Sequence, residues 1–168
     1  MEKAHRPPGV VPRLCGRVPG SGGEVLMEKP PSDFFRDHAD VFLEMAFRAD
    51  RLEPMEHPDA EGQNRGRCGD TATVWLKTEG ERIAQVALRV EGCLHTVASA
   101  NAVAELVEGK PVAEAWELTP ERVIAFLETL PPDHHHCAEL AVGALHRALA
   151  DLQARRREPW KTPYRKTG

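Results

Sequence analysis

The chain has 168 residues and a net charge of −4, enough length for one domain with a single hydrophobic core and tails. No apolar run approaches the roughly 20 residues of a membrane helix, and prolines and glycines interrupt the basic N-terminal stretch where a signal peptide needs an apolar segment, so a soluble, cytoplasmic protein is expected. Residues 33–153 hold 11 basic and 22 acidic residues, net −11; so acidic a body argues against a nucleic-acid platform, and four cysteines are too few for a disulfide scaffold.

Residues 1–31 are rich in Pro, Gly and Arg and are expected to be a disordered tail. A second Met-Glu-Lys at Met27-Glu28-Lys29 marks Met27 as the expected true start. Cys15 lies in that tail and is given no role. Ser32 stands as N-cap of a first helix, in which Phe34, His38, Val41, Phe42, Met45, Ala49 and Leu52 follow helical spacing. Pro54, Pro58, Gly62 and Gly66 mark a long loop. Thr71–Thr78 and Arg82–Val90 read as strands joined by a hairpin turn at Glu79-Gly80-Glu81; a third strand before Cys68 is compatible with the sequence but has no periodicity to fix it. Val97, Ala100, Val103, Ala104 and Val107 stripe a second helix, ended by Gly109. Thr119-Pro120 opens a third, running through Val123, Phe126, Leu127 and Leu130 to Pro131-Pro132. Asp133 is the expected cap of the last helix, whose core face is Ala138, Ala141, Val142, Leu145, Leu149 and Leu152. Strands before helices predict an α+β domain over residues 32–153, a small antiparallel β-sheet with helices packed on one face. Residues 154–168, net +5, read as a basic flexible tail.

Three cysteines sit in distinctive strings: Arg67-Cys68-Gly69-Asp70, Gly92-Cys93-Leu94-His95-Thr96-Val97-Ala98-Ser99, and Leu130-Pro131-Pro132-Asp133-His134-His135-His136-Cys137. No pair has C-x-x-C spacing. Cys68 is expected at the entrance to a strand, Cys93 just before a helix and Cys137 in the first turn of the last helix. At the two helix positions, unpaired N–H groups and the positive end of the dipole favour a thiolate, the form that binds metal and attacks sulfur. Gly69 and Gly92 leave room for a ligand or partner to approach the backbone. Asp70 and His136 add a carboxylate and an imidazole beside two of the thiols. His134 and His135 read as a polar first helical turn. In a reducing compartment such a set points to a thiophilic metal or to thiol chemistry.

These strings resemble, in order and in separation, the three ligand motifs of iron-sulfur cluster assembly scaffolds of the IscU/NifU N-terminal type. The likeness covers roughly residues 33–153; Gly109-Lys110 and Glu114-Ala115 are similar to a further family segment. The resemblance implies a scaffold, not a turnover enzyme, on which Cys68, Cys93 and Cys137 hold a transient 2Fe-2S cluster and iron, with Asp70 or His136 completing the coordination. It implies a cysteine desulfurase as sulfur donor, with Cys137 as persulfide acceptor, and apo iron-sulfur proteins as recipients. It implies a monomer or weak dimer, with no nucleic-acid or membrane partner. His134 replaces the lysine usual in the family's Hsp70-type chaperone recognition segment, which puts that partnership in doubt. Nothing after residue 153 resembles the later cysteine-bearing domains of full-length NifU. The alternative is a zinc-bound sulfur acceptor of the SufU type, since three thiolates with Asp70 or His136 also suit zinc. The insertion that marks that branch, between the second and third cysteines, is missing here. With three thiols where a stable ferredoxin centre has four, the fourth position is harder and exchangeable, as a carrier requires.

Overall fold

The computed structural model describes residues 34–164. Cys15, Met27 and Ser32, and with them the expected tail, start and first N-cap, lie outside the described residues. The chain runs α1 (Phe34–Asp37), α2 (Asp40–Phe47), β1 (Ala60–Arg65), β2 (Thr71–Glu79), β3 (Arg82–Glu91), α3 (Leu94–Val107), α4 (Val112–Trp116), α5 (Pro120–Leu127) and α6 (His135–Arg157), with short 3-10 turns at Pro132–His134 and Pro159–Tyr164. The strands form one antiparallel sheet in the order β1-β2-β3. No described helix is long and apolar enough to cross a membrane.

The hairpin is where its pattern places it. β2 pairs with β3 from Thr71↔Glu91 to Glu79↔Arg82, with a register shift between Lys77 and Thr78. Gly80 takes φ +59° at the turn, the left-handed conformation that favours glycine. Alternation puts Ala72, Val74 and Leu76 of β2 and Ile83, Val86 and Leu88 of β3 in the core, against α6 and α3. The opposite face carries Thr71, Trp75, Lys77 and Arg89, all at least partly exposed, so the helices do pack on one side.

Three elements depart from the sequence expectation. The first helix is two. Ala39 is extended (φ −64°, ψ 151°), and its N–H donates to Thr129 Oγ1 at 2.8 Å. α2 then stops at Phe47, because the buried Asn101 amide donates to the carbonyls of Met45 (2.9 Å) and Arg48 (3.0 Å). Helical spacing continues to Leu52 in the sequence, but those carbonyls have found a tertiary partner.

The third strand left open before Cys68 is present as β1, inside the expected loop over 54–66 and paired with β2 from Ala60↔Leu76 to Arg65↔Thr71. Its sequence, AEGQNR, has no strand signature. What holds it is contact: a Cβ at Gly62 would collide with the backbone of Ala144 and Ala148 in α6, so this glycine lets the helix lie directly on the strand. Asn64 Nδ2 donates to the Leu140 carbonyl at 3.2 Å, fixing the same approach.

Asp133 does not cap α6. It belongs to the 3-10 turn Pro132–His134, and His134 occupies the N-cap position without a capping hydrogen bond. The last helix also runs past residue 153 to Arg157. Arg155 pairs with Asp151 at 2.7 Å and Arg156 with Glu81 at 3.0 Å, so the start of the basic segment is ordered by carboxylates of the domain itself.

Candidate functional site

Three chain segments meet at one end of the sheet. The β1–β2 connection is a tight turn in which Gly66 N–H donates to the Asp70 carbonyl (2.8 Å) and Gly69 N–H to the Gly66 carbonyl (3.1 Å). Gly69 takes φ +89° there, which favours glycine at the tip. Cys68 sits on this turn and is exposed, whereas Asp70, at its exit, is only 8% exposed. Cys93 is the N-cap of α3 (φ −78°, ψ 168°). Cys137 lies in the first turn of α6. The helices α3 and α6 pack against each other, so their N-terminal ends bring the second and third cysteines together.

The convergence is close. The Sγ atoms of Cys93 and Cys137 are 4.0 Å apart. With a carboxylate oxygen of Asp70 they form a group whose ligand atoms all lie within 4.8 Å of one another. Asp70 Oδ2 accepts from Thr96 Oγ1–H at 2.7 Å and from the Cys93 backbone N–H at 3.2 Å. Thr96 Oγ1 also lies 3.3 Å from Cys137 Sγ and 3.4 Å from Cys93 Sγ, so one buried hydroxyl locks both thiols and the carboxylate together. Gly92 makes this geometry available. A Cβ at that residue would sit 2.5 Å from Asp70 Oδ2. The room expected to admit a ligand or partner is filled by the Asp70 carboxylate. His136 Nε2 is 3.6 Å from Cys137 Sγ.

Cys68 is the sequence-predicted ligand that the described arrangement does not bring in; it belongs to none of the candidate metal groups among the described residues. Its Sγ lies beside Gly66, 3.8 Å from where a Cβ on that glycine would stand.

The two buried thiols divide their charge unequally. Cys93 is pushed well below the usual thiol range, first by its hydrogen bond with Cys137 and then by His95 and Thr96, against the effect of burial. Cys137 is pushed up by the same contact with Cys93 and by burial. The two thiols so close together oppose each other's ionisation, because a neighbouring anion a few ångströms away outweighs a helix end.

Sequence reasoning passed over two histidines. The His95 and His134 rings stack with centroids 3.7 Å apart and an interplanar angle of 10°. With Cys93 they form a second group of ligand atoms within 4.8 Å, and His134, His136 and Cys137 form a third. His134 is not a solvated residue of a polar first turn. Its side chain is 12% exposed, and its pKa is lowered, first by burial and then by His95. The visible hint was the string of three histidines before Cys137 and a histidine two residues after Cys93.

Residues 52–159 match the NifU-like N terminal domain family. The iron-sulfur cluster assembly scaffold protein IscU 1 of Archaeoglobus fulgidus is 34% identical over 84 residues, which are 50% of this chain and 55% of that one. The protein named IscU in Aquifex aeolicus is 33% identical over 108 residues, 58% of this chain and 69% of its own. This chain thus spans about half the length of the first of these relatives and about two thirds of the second. Among solved structures, the N-terminal part of a nitrogen-fixing NifU-like protein from Brucella abortus superposes with a TM-score of 0.59 over 71% of this chain and 97% of that one, at 22% identity, which shows a common fold.

Proposed function

The chain belongs to the family of NifU-like N-terminal domains, and from that premise we propose that it is a scaffold on which a labile iron-sulfur cluster, of the 2Fe-2S type, is assembled and then passed to apo-proteins. The observation that carries this reading is the buried Asp70–Cys93–Cys137 group, its ligand atoms within 4.8 Å of one another. Two soft thiolates suit iron and sulfide. A carboxylate in place of a fourth thiolate gives a weaker, exchangeable bond than the four cysteines of a stable ferredoxin-type centre. Cys68 supplies the remaining thiol from the exposed turn, so this ligand joins when the turn closes over the cargo and leaves first when it opens. His136, beside Cys137, is the alternative to Asp70.

Sulfur arrives as the outer sulfur of a persulfide on a cysteine desulfurase. The Cys137 thiolate attacks that sulfur, a new S–S bond forms on Cys137, and the desulfurase cysteine leaves as thiolate. Cys137 is fully buried and its pKa is raised by the contact with Cys93, so this transfer needs the site to open and the thiol proton to move to a neighbouring imidazole. An external electron donor supplies the two electrons that reduce each persulfide sulfur to sulfide. The chain's part is to hold, orient and release; no substrate is turned over on a group of its own.

Anaerobic reconstitution with ferrous iron, cysteine and a desulfurase tests the proposal. Visible cluster bands with a 2Fe-2S Mössbauer signature should appear, disappear in Cys93→Ala and Cys137→Ala, and transfer to an apo-ferredoxin. Tight stoichiometric zinc with no uptake of iron would replace this reading with the zinc-bound sulfur acceptor.

A further inference from the structure

Beside the cluster pocket stands a row of imidazoles, of which the assembly reading uses only His136 as a candidate ligand. His134 stacks on His95, centroids 3.7 Å apart. His38 follows at 6.0 Å from His95, and His136 at 6.0 Å from His134. Two ring nitrogens in this row, His38 Nε2 and His134 Nδ1, are buried without a hydrogen-bond partner. Buried polar atoms are rarely left so, and an imidazole nitrogen with no proton partner is a metal ligand in waiting. His38 belongs to none of the candidate metal groups among the described residues. Its Nδ1–H donates to the Phe34 carbonyl at 3.0 Å, which fixes the tautomer that leaves Nε2 as a bare acceptor, the pattern found behind metal-binding histidines.

We propose that Cys93, His95 and His134 form a second metal site, a loading position for one borderline divalent cation, ferrous iron in the working protein. The three ligand atoms lie within 4.8 Å of one another, and Cys93 Sγ is 3.9 Å from His95 Nδ1. One thiolate with two imidazoles suits zinc, cobalt and ferrous iron, and does not suit magnesium or calcium. The rings lie parallel, so ligation turns one of them out of the stack. Cys93 is common to this group and to the Asp70–Cys93–Cys137 group, and that sharing defines the transfer. The ion keeps its bond to Cys93 while two imidazole nitrogens are exchanged for an Asp70 oxygen and the Cys137 sulfur. The Cys137 proton passes to a freed imidazole, and no electron moves. The loading role rests on the scaffold reading; the metal site itself does not.

The test uses the full apo-chain under anaerobic conditions with cobalt(II) and zinc(II) as probes. Asp70→Asn/Cys137→Ser removes the pocket set and leaves the proposed one. It should bind one cobalt with a single-thiolate charge-transfer band. Adding His95→Ala/His134→Ala should weaken that binding by at least the roughly 100-fold that loss of a supporting partner alone reaches. Should the pocket variant misfold, histidine ring ¹⁵N spectra of the wild-type chain decide instead: zinc must shift the ring nitrogens of His95 and His134. Unmoved ring signals, or affinities within twofold with and without the two histidines, overturn the site. Wild-type cobalt binding that needs both histidines, in a chain that builds no cluster, sinks the scaffold reading and leaves the site standing. Normal cluster assembly with histidine-independent metal binding does the reverse.

Discussion

Gly92→Ala is the sharpest probe of how this pocket is held. The new Cβ would lie 2.5 Å from Asp70 Oδ2, 2.6 Å from its Cγ and 2.9 Å from its Cβ. Rotating the carboxylate cannot relieve the contact with Cβ, so the side chain has to leave its place. It then abandons the Thr96 hydroxyl at 2.7 Å and the Cys93 N–H at 3.2 Å. Overpacking costs about 1–3 kcal/mol. The hydroxyl can turn to a sulfur, but the buried N–H has no other acceptor and adds about 1–2 kcal/mol. A total near 3 kcal/mol, with a urea slope of about 2 kcal/mol per molar, lowers the unfolding midpoint by about 1.5 M.

The same reasoning fixes a coupling. In Asp70→Gly the obstructing side chain is already gone and the two donors are already orphaned. Adding Gly92→Ala to it should therefore cost little, and the double variant should be more stable than the summed single effects by about 2 kcal/mol. Urea unfolding of the four proteins measures this cycle. Additivity within about 0.5 kcal/mol, or a Gly92→Ala effect below that size, would refute the claim that Gly92 exists to seat the Asp70 carboxylate.

Three further outcomes follow from other parts of the molecule. Asn101→Ala orphans the Met45 and Arg48 carbonyls and should destabilise the domain by about 2 kcal/mol, while reconstituted cluster yield per folded molecule stays at the wild-type level. Chelation of the metal-loaded protein should leave the domain folded, because the hydrophobic cluster from Phe42 to Leu152 does not include Cys93 or Cys137; unfolding by EDTA, followed by circular dichroism, would contradict this. His134 is held below its ordinary pKa by burial and by His95, so it is neutral in the fold and protonates more readily in the unfolded chain. Its contribution to stability is present above about pH 6.5 and is lost as the pH falls below that through the folded-state value. The melting temperature of the apo-protein should drop over this window, with a shallower slope in His134→Gln.

Much of this arrangement could be read from the chain because local signals and tertiary demands agree there. The hairpin alternates and turns on a glycine; α3 and α6 carry apolar stripes and start at the cysteine strings. Legibility failed where a long-range partner decides. β1 is a strand because α6 lies on Gly62, and AEGQNR contains no trace of α6. The break before α2 depends on Thr129, ninety residues away. Asp70 was read only as a carboxylate beside the Cys68 thiol. Its carboxylate reaches instead from the strand entrance through the gap at Gly92 to Cys93 and Thr96, while Cys68 stays on the turn. His95 and His134 meet only because two helix starts converge, and the 38 residues between them give no pattern that predicts it.

On the proposed scaffold reading, that convergence lets a stable domain carry a labile cargo. Cys93 and Cys137 are fixed by the packing of α3 on α6, and Asp70 by hydrogen bonds to α3. None of these needs the cargo to stay in place, since the hydrophobic core is complete beneath them. Cys68 is held differently, on an exposed turn closed by two backbone hydrogen bonds, Gly66 N–H to Asp70 and Gly69 N–H to Gly66. The affinity for cargo can therefore be set by the conformational freedom of that turn without altering the fold. Stiffening it by Gly69→Ala strains a residue at φ +89°, a penalty of about 1 kcal/mol that falls on the thiol-bearing loop alone. Cluster lifetime should change in that variant while the urea midpoint moves by less than in Gly92→Ala. An equal loss of stability in both would mean that the turn is part of the core framework and that release has to be explained elsewhere.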